Sequence, residues 1–210
     1  MNKREQQKQE RRNTIIEVAK AMILEKGIQE LQLQDVADAA GIGIATFYRS
    51  FPNKELLIIA VNNQIVEQML ADIEHRIKGA VNAYEEIERV LGYYVDIVEE
   101  PEQQFVRFVR SIEAYRPMEV ESEEYQHYVS IRKRFSELLL AIATRGQQDG
   151  SIRSGVDLSF YLFTIVQNIS HFASESKLTK HDPSLPLDLN SSQQVILLKD
   201  VFMAHLRANN

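Results

Sequence analysis

Residues 35–57 decide how the chain folds: Asp35-Val-Ala-Asp-Ala-Ala-Gly-Ile-Gly-Ile-Ala-Thr-Phe-Tyr-Arg-Ser-Phe-Pro-Asn-Lys-Glu-Leu-Leu57. Two short segments with helical spacing flank a turn punctuated by glycine. The first carries Leu33, Val36, Ala37 and Ala40 and ends at Gly41. The second runs from Ile44 to Ser50, with Phe47 and Phe51 four apart and Tyr48 on the neighbouring face. Pro52 ends it. Two short helices joined by a tight glycine-containing turn form a helix-turn-helix. The residue types suit that packing. Ala37 and Ala40 are small enough for the helices to cross closely, Gly41 tolerates a left-handed turn, and Ile42 plugs the gap between the helices. With Phe47 and Phe51 on the buried side, Ile44, Ala45, Thr46, Tyr48 and Arg49 are left to face a DNA major groove.

Working outward, Ile15, Ile16, Ala19, Met22 and Ile23 give one buried helical stripe upstream, which Gly27 stops with Lys26 in the last turn. Residues 1–12 hold five basic and two acidic side chains and no core residue, and they read as a mobile basic arm running into that helix. The arm is either a tail with no role or, through Arg11 and Arg12, a stretch that tracks the adjacent groove backbone. Downstream, Asn53 is the expected N-cap of a long helix, with Glu55 in its first turn, that fades at Gly79. Further helices are expected over about 82–99, after Pro101 up to Pro117, near 123–145, about 156–176 and about 191–207. The two prolines within 180–190 mark a loop. No strand pattern or internal repeat interrupts the series. The expected fold is all-α with about nine helices. Residues 1–52 form a three-helix DNA-binding domain, and residues 53–210 a helical effector-binding and dimerisation domain.

Composition supports this and excludes several chemistries. The chain has 210 residues, 44% of them apolar, so it can bury a core without covalent staples. Eight Gly and five Pro are too few for a turn-rich all-β fold. With no Cys there is no disulfide framework, thiolate zinc site, iron–sulfur cluster or cysteine nucleophile. The longest apolar runs are about six residues against the roughly 20 of a membrane span, and no secretory h-region follows the N-terminus, so a cytoplasmic protein without membrane contact is expected. The net charge of −6 is unevenly spread. Residues 1–54 hold nine Lys/Arg and seven Asp/Glu, whereas the remainder holds 15 and 23. A basic N-terminal quarter on an acidic chain fits a polyanion contact at one end.

The run from Asp35 to Leu57, together with Lys26-Gly27, resembles the DNA-binding domain of the TetR family of bacterial transcriptional regulators. The resemblance covers about residues 10–60. It rests on the helix-turn-helix, the Thr-Phe-Tyr run, the Phe two residues after Arg49, and the Asn-Lys that opens the next helix. It implies that Tyr48, Lys54 and Thr46 grip phosphates. It also implies that Gly43, Ile44, Ala45 and Arg49 approach base edges, with Gln34 reaching a base from the preceding helix. Side-chain chemistry agrees: Ile and Ala can meet a thymine methyl, Gln can pair with adenine and Arg with guanine. The caps of the second and third helices depart from the family. Leu31 and Gln32 stand where Ser or Thr usually caps the second helix, and Gly43 stands where Ser is common.

Elsewhere the sequence offers weaker signals. Glu124-x-x-His127 and Asp72-x-x-His75 have the spacing of di-iron bundles, but such a site needs two Glu-x-x-His units and two further inward Glu. No metal, cofactor or catalytic residue is assigned, and the chain is read as a non-enzyme. His171, on an apolar face, reads as a core histidine. A cluster of mid-chain aromatics suggests an effector pocket, with Tyr94, Phe108, Ile112, Tyr128 and Gln167 as candidate lining residues. The expected function is a ligand-responsive dimeric DNA-binding regulator. It is a repressor released from operator DNA by a small apolar or amphipathic effector, and it pairs with itself through its last two helices. The apolar arc 158, 161, 162, 165, 166, 169 and 172 and the run 195–198 look too wide for one core stripe. The helix opening at Asn53, about 25 residues or roughly 37 Å long, is the expected lever between effector and DNA. The alternative from another class is a helical-bundle metal-carboxylate enzyme or lipid carrier that does not bind DNA.

Overall fold

The structure, a computed structural model, describes residues 3–99, 122–175 and 191–208. Among these residues there are eight α-helices: α1 (Lys3–Lys26), α2 (Leu33–Ala39), α3 (Ile44–Ser50), α4 (Lys54–Ile77), α5 (Ala83–Glu99), α6 (Glu123–Gln148), α7 (Leu158–Glu175) and α8 (Ser191–Leu206). No strand occurs among them. A lone antiparallel bridge joins Ile152 to Arg207. The helix expected after Pro101 and the loop expected at 180–190 lie outside the described residues.

One expectation is overturned at the start of the chain. Residues 3–12 are not an arm but the first turns of α1, continuous to Lys26. Lys, Arg, Gln and Glu dominate this stretch, and all are strong helix formers. The Gln9 amide adds a bond to Asn13 Oδ1 at 2.9 Å, four residues on. Polarity marked the segment as exposed, which residues 3–10 are, but did not bear on whether it is helical.

The chain divides into two compact units. The first holds the described residues up to 67 together with 122–131, and the second holds 68–99, 132–175 and 191–208. The break expected at residue 53 marks the end of the helix-turn-helix, and the first unit runs on into α4. Both α4 and α6 contribute residues to each unit. By length and composition alone, α4 is apolar enough to cross a membrane. It is the core helix of the fold instead: Leu57, Ile58, Val61, Leu70 and Ile73 are fully sealed from solvent. Asn53 caps it as expected, its Oδ1 accepting from the Leu56 amide at 2.8 Å.

In the first unit α1 packs on α2 and α2 on α3. Ile15, Ile16, Ala19 and Ile23 from α1, Val36 and Ala37 from α2, and Phe47 from α3 form the core with Phe51. The Phe47 and Phe51 rings lie 6.2 Å apart, and neither exposes any surface. Truncating either to alanine would cost about 3–5 kcal/mol, a large part of a small domain's stability.

In the second unit α5 packs against α7 and α8, which also pack on each other. The Tyr161 hydroxyl donates to the Phe202 carbonyl at 3.0 Å, and its ring stacks on His205 at 5.1 Å, which fixes α7 against α8. Gly146, in α6, is a close-approach position. A Cβ there would lie 2.7 Å from Leu158 Cδ2 and 3.1 Å from the Ala83 Cβ.

The apolar arc on α7 is a core face. Leu158, Leu162, Ile165, Val166 and Ile169 are buried within the chain, and Tyr161 and Phe172 are half-buried. On these two helices the large apolar side chains left exposed are instead Phe160 and Phe163 on α7 and Ile196, Leu197 and Val201 on α8. His171 is exposed on α7 and is not a core histidine.

Candidate nucleic-acid interface

The turn between α2 and α3 is built from backbone bonds. Ile42 donates to the Ala37 carbonyl at 3.0 Å and Gly41 to Asp38 at 3.1 Å. The chain can reverse there because Gly41 takes φ +69, a conformation that a side chain would strain. Gly43 then opens α3 in extended conformation, its carbonyl accepting from Thr46 at 2.8 Å and Phe47 at 3.1 Å. At the start of α2, Gln32 occupies the N-cap without a side-chain capping bond. The two family departures therefore leave both short helices capped by backbone alone.

With Phe47 and Phe51 buried, α3 presents one face outward. Ala45, Tyr48 and Arg49 are exposed, Gly43 is exposed at the helix start, and Ile44 and Thr46 are half-buried beside them. Tyr48 keeps 48% of its surface exposed and meets the Phe47 ring edge-on at 5.9 Å. Gln34 is exposed on α2, its Nε2 donating to Asp38 Oδ1 at 2.9 Å. That bond uses one of the two amide N–H donors and leaves the other, with Oε1, available. Lys54, at the first turn of α4, donates to the Gln29 carbonyl at 3.3 Å. The eight candidate DNA-contacting residues thus come from α2, the turn, α3 and the start of α4, all in the first unit.

Arg12 is engaged within the protein. Its Nη1 donates to the Ser50 carbonyl at 2.8 Å, its guanidinium lies 4.1 Å from the Phe51 ring centroid, and it pairs with the Glu124 carboxylate. A cation on the last carbonyl of α3 also complements the negative end of that helix. Sequence spacing gave no sign of this, because Arg12 and Glu124 are 112 residues apart.

Three of the five candidate pocket residues fall among the described residues. Tyr94 is buried in the second unit, where desolvation holds its hydroxyl well above the usual phenol range and the charge of Arg132 offsets that only in part. Tyr128 is half-buried in the first unit. Gln167 is exposed on α7, three and seven residues beyond Thr164 and Phe160 on the same side, so it does not line the core. Phe108 and Ile112 lie outside the described residues. Among the described residues, no group of three His, Cys, Asp or Glu side chains is placed to hold a metal ion. His127 instead lies 3.1 Å from Glu67, as an ion pair when protonated.

Residues 15–61 match the family model described as bacterial regulatory proteins, tetR family. The HTH-type transcriptional repressor KstR2 of Rhodococcus jostii is 20% identical over 148 residues, 70% of this chain and 71% of that protein. The fatty acid metabolism regulator protein of Bacillus subtilis is 27% identical over 152 residues, 72% of this chain and 76% of its own length. A crystal structure of FadR from Bacillus subtilis in complex with stearoyl-CoA shares the fold, with a TM-score of 0.66 at 21% identity over 92% of this chain and 98% of that one. These similar proteins are transcriptional regulators.

Proposed function

We propose, from the match of residues 15–61 to the tetR family model, that the chain is a ligand-responsive, dimeric DNA-binding regulator. It acts as a repressor that a small apolar or amphipathic effector releases from operator DNA. The observation that carries this reading is the outward face of α3, where Ala45, Tyr48 and Arg49 stand clear of a core sealed by Phe47 and Phe51.

The face offers both kinds of contact that a specific site needs. Tyr48 and Lys54, with Thr46, supply donors for phosphate oxygens. Arg49 supplies a fork for guanine, Ile44 and Ala45 supply apolar surface for thymine methyls, Gly43 lets backbone approach closely, and Gln34 supplies an amide acceptor from α2. Residues 1–52 are the DNA-binding domain. Residues 53–210 take the effector and hold the dimer together, and the regulator works in the cytoplasm.

Dimerisation through α7 and α8 is supported by Phe160, Phe163, Ile196, Leu197 and Val201, large apolar side chains that the chain's own fold leaves uncovered. An amphipathic effector is supported by the name of the Bacillus subtilis relative and by the stearoyl-CoA held by the similar solved structure. Helix α4 carries the response, because it begins at Lys54 and its later turns belong to the second unit.

The test is a mobility-shift titration on duplex DNA from upstream of the chain's own gene, with and without stearoyl-CoA. A specific shift that the thioester weakens about 5–150-fold supports the whole reading. Equal binding to operator and random duplex overturns it.

A further inference from the structure

The first turn of α6 is fastened to the DNA-binding unit at three points. The Glu124 carboxylate pairs with Arg12, side chains that keep only 13% and 22% of their surface exposed. The Glu124 carbonyl accepts from Asn63 Nδ2 at 2.8 Å, and Asn63 is itself 3% exposed. One turn on, His127 Nε2 lies 3.1 Å from Glu67. Ser122 caps this turn, its Oγ accepting from the Tyr125 amide at 3.1 Å.

Arg12 is what makes this fastening more than local. The same guanidinium that meets Glu124 donates to the Ser50 carbonyl, the last residue of α3, and covers the Phe51 ring that closes the helix. One side chain of α1 therefore joins the start of α6 to the C-terminal end of the helix that presents Tyr48 and Arg49. A charge-assisted bond in a half-buried place is stronger and more directional than a surface pair. Moving Glu124 pulls on, or frees, the group that anchors α3.

We propose that Glu124 is a positioning residue for the recognition helix, acting through Arg12, and that displacement of the first turn of α6 is a second route, beside α4, by which the rest of the chain governs DNA affinity. The proposal rests on the DNA-binding reading above and deepens it. Arg12 orders α3 without touching DNA, and Glu124 sets the orientation of Arg12. The remaining turns of α6, from Arg132 onward, belong to the second unit, so a shift of this helix is felt at Glu124.

The experiment is a double-mutant cycle on the full chain, with Arg12→Ala, Glu124→Gln and the double variant. The readouts are affinity for the upstream duplex, affinity for a random duplex of equal length, and thermal midpoint. Glu124→Gln keeps shape and volume and removes only the charge. It is expected to weaken specific binding on the order of 5- to 30-fold while leaving binding to random duplex unchanged. The double variant is expected to match Arg12→Ala alone, because the two residues act in series. Arg12→Lys, which keeps charge but loses the fork, is expected to fall between wild type and Arg12→Ala.

Additive losses overturn the series arrangement. Unchanged specific affinity in Glu124→Gln, with or without a lower thermal midpoint, reduces the pair to a purely structural contact and overturns the proposal. If the wild-type protein itself fails to distinguish the two duplexes, the DNA-binding reading falls and takes this proposal with it.

Discussion

Lys54 reaches back 25 residues to donate its ammonium to the carbonyl of Gln29 at 3.3 Å, at the first turn of α4. A lysine held this way is pre-placed at the edge of the helix-turn-helix face, with two of its three donors still to use. Lys54→Ala removes a cation, so it should weaken binding to every duplex and reduce the slope of log K against log salt by about 1. Tyr48→Phe removes a single hydroxyl and should weaken all sequences with the slope unchanged. Titrations at several salt concentrations check both.

Arg49 and Gln34 should behave differently. Each is exposed, on α3 and α2 respectively. Arg49→Ala should cost about 1–3 kcal/mol on the operator and flatten preference at one base pair, while affinity for random duplex holds. Gln34→Ala should relax a second position by less, because one N–H of its Nε2 is already engaged with Asp38 and has to be released, or left out, when the amide reads a base. Binding selections on a randomised half-site read out both effects. Equal loss on operator and random duplex would assign Arg49 to the backbone.

The helix-turn-helix was legible because its determinants are local. Gly41, Gly43, Pro52 and Asn53 punctuate the chain within 13 positions, and Phe47 and Phe51 fix the buried side by spacing alone. What escaped was tertiary. Arg12 reads from sequence only as one cation of a basic stretch that could meet phosphates, and its partners lie 38 and 112 residues away. The apolar arc on α7 was counted correctly but assigned to the wrong surface. Residues 158, 162, 165, 166 and 169 face inward, and the outward pair, Phe160 and Phe163, falls between them. Counting apolar positions cannot separate a core face from an interface when a helix carries both. Gln167 was read as a polar tip among apolar walls, but it lies on that same outward face of α7.

Asp149 supplies a pH-dependent element of stability at the end of α6. Its Oδ2 accepts from the Ala83 amide at 2.7 Å, satisfying an N-terminal donor of α5, and its Oδ1 accepts from the Ser151 amide at 2.8 Å. Burial alone would raise its pKa. The bonds from Ser151 and Ala83 and the charge of Arg145 outweigh that and hold the carboxyl below its ordinary value. A depressed folded-state pKa means that this stability is present above the unfolded value, near 4, and is lost as pH falls through the lower folded one. Asp149→Ala should therefore destabilise the protein by about 1 kcal/mol at pH 7. The gap from wild type should close at the acid end of a urea-denaturation series. A gap that persists undiminished below pH 3 would assign the loss to packing.

The dimer is the prediction on which specific operator reading depends, since a near-palindromic operator is read by two copies of α3. Phe160 is 74% exposed and Leu197 63%, on α7 and α8, which already pack together. Side chains of this size are seldom left in water unless a partner covers them, and a stable pairing buries at least about 1,200 Å² in total. Phe160→Glu and Leu197→Glu place charges on that surface without touching the chain's own core, where Leu162, Ile165 and Val195 are sealed. Each variant should remain helical and folded yet run as a monomer by light scattering at micromolar concentration, where the wild type runs as a dimer. Affinity for the full operator should then fall on the order of 10²-fold, because two tethered half-site contacts become two independent ones, while affinity for an isolated half-site is unchanged. Variants that stay dimeric, or a wild type that is monomeric, would move the interface elsewhere or remove it.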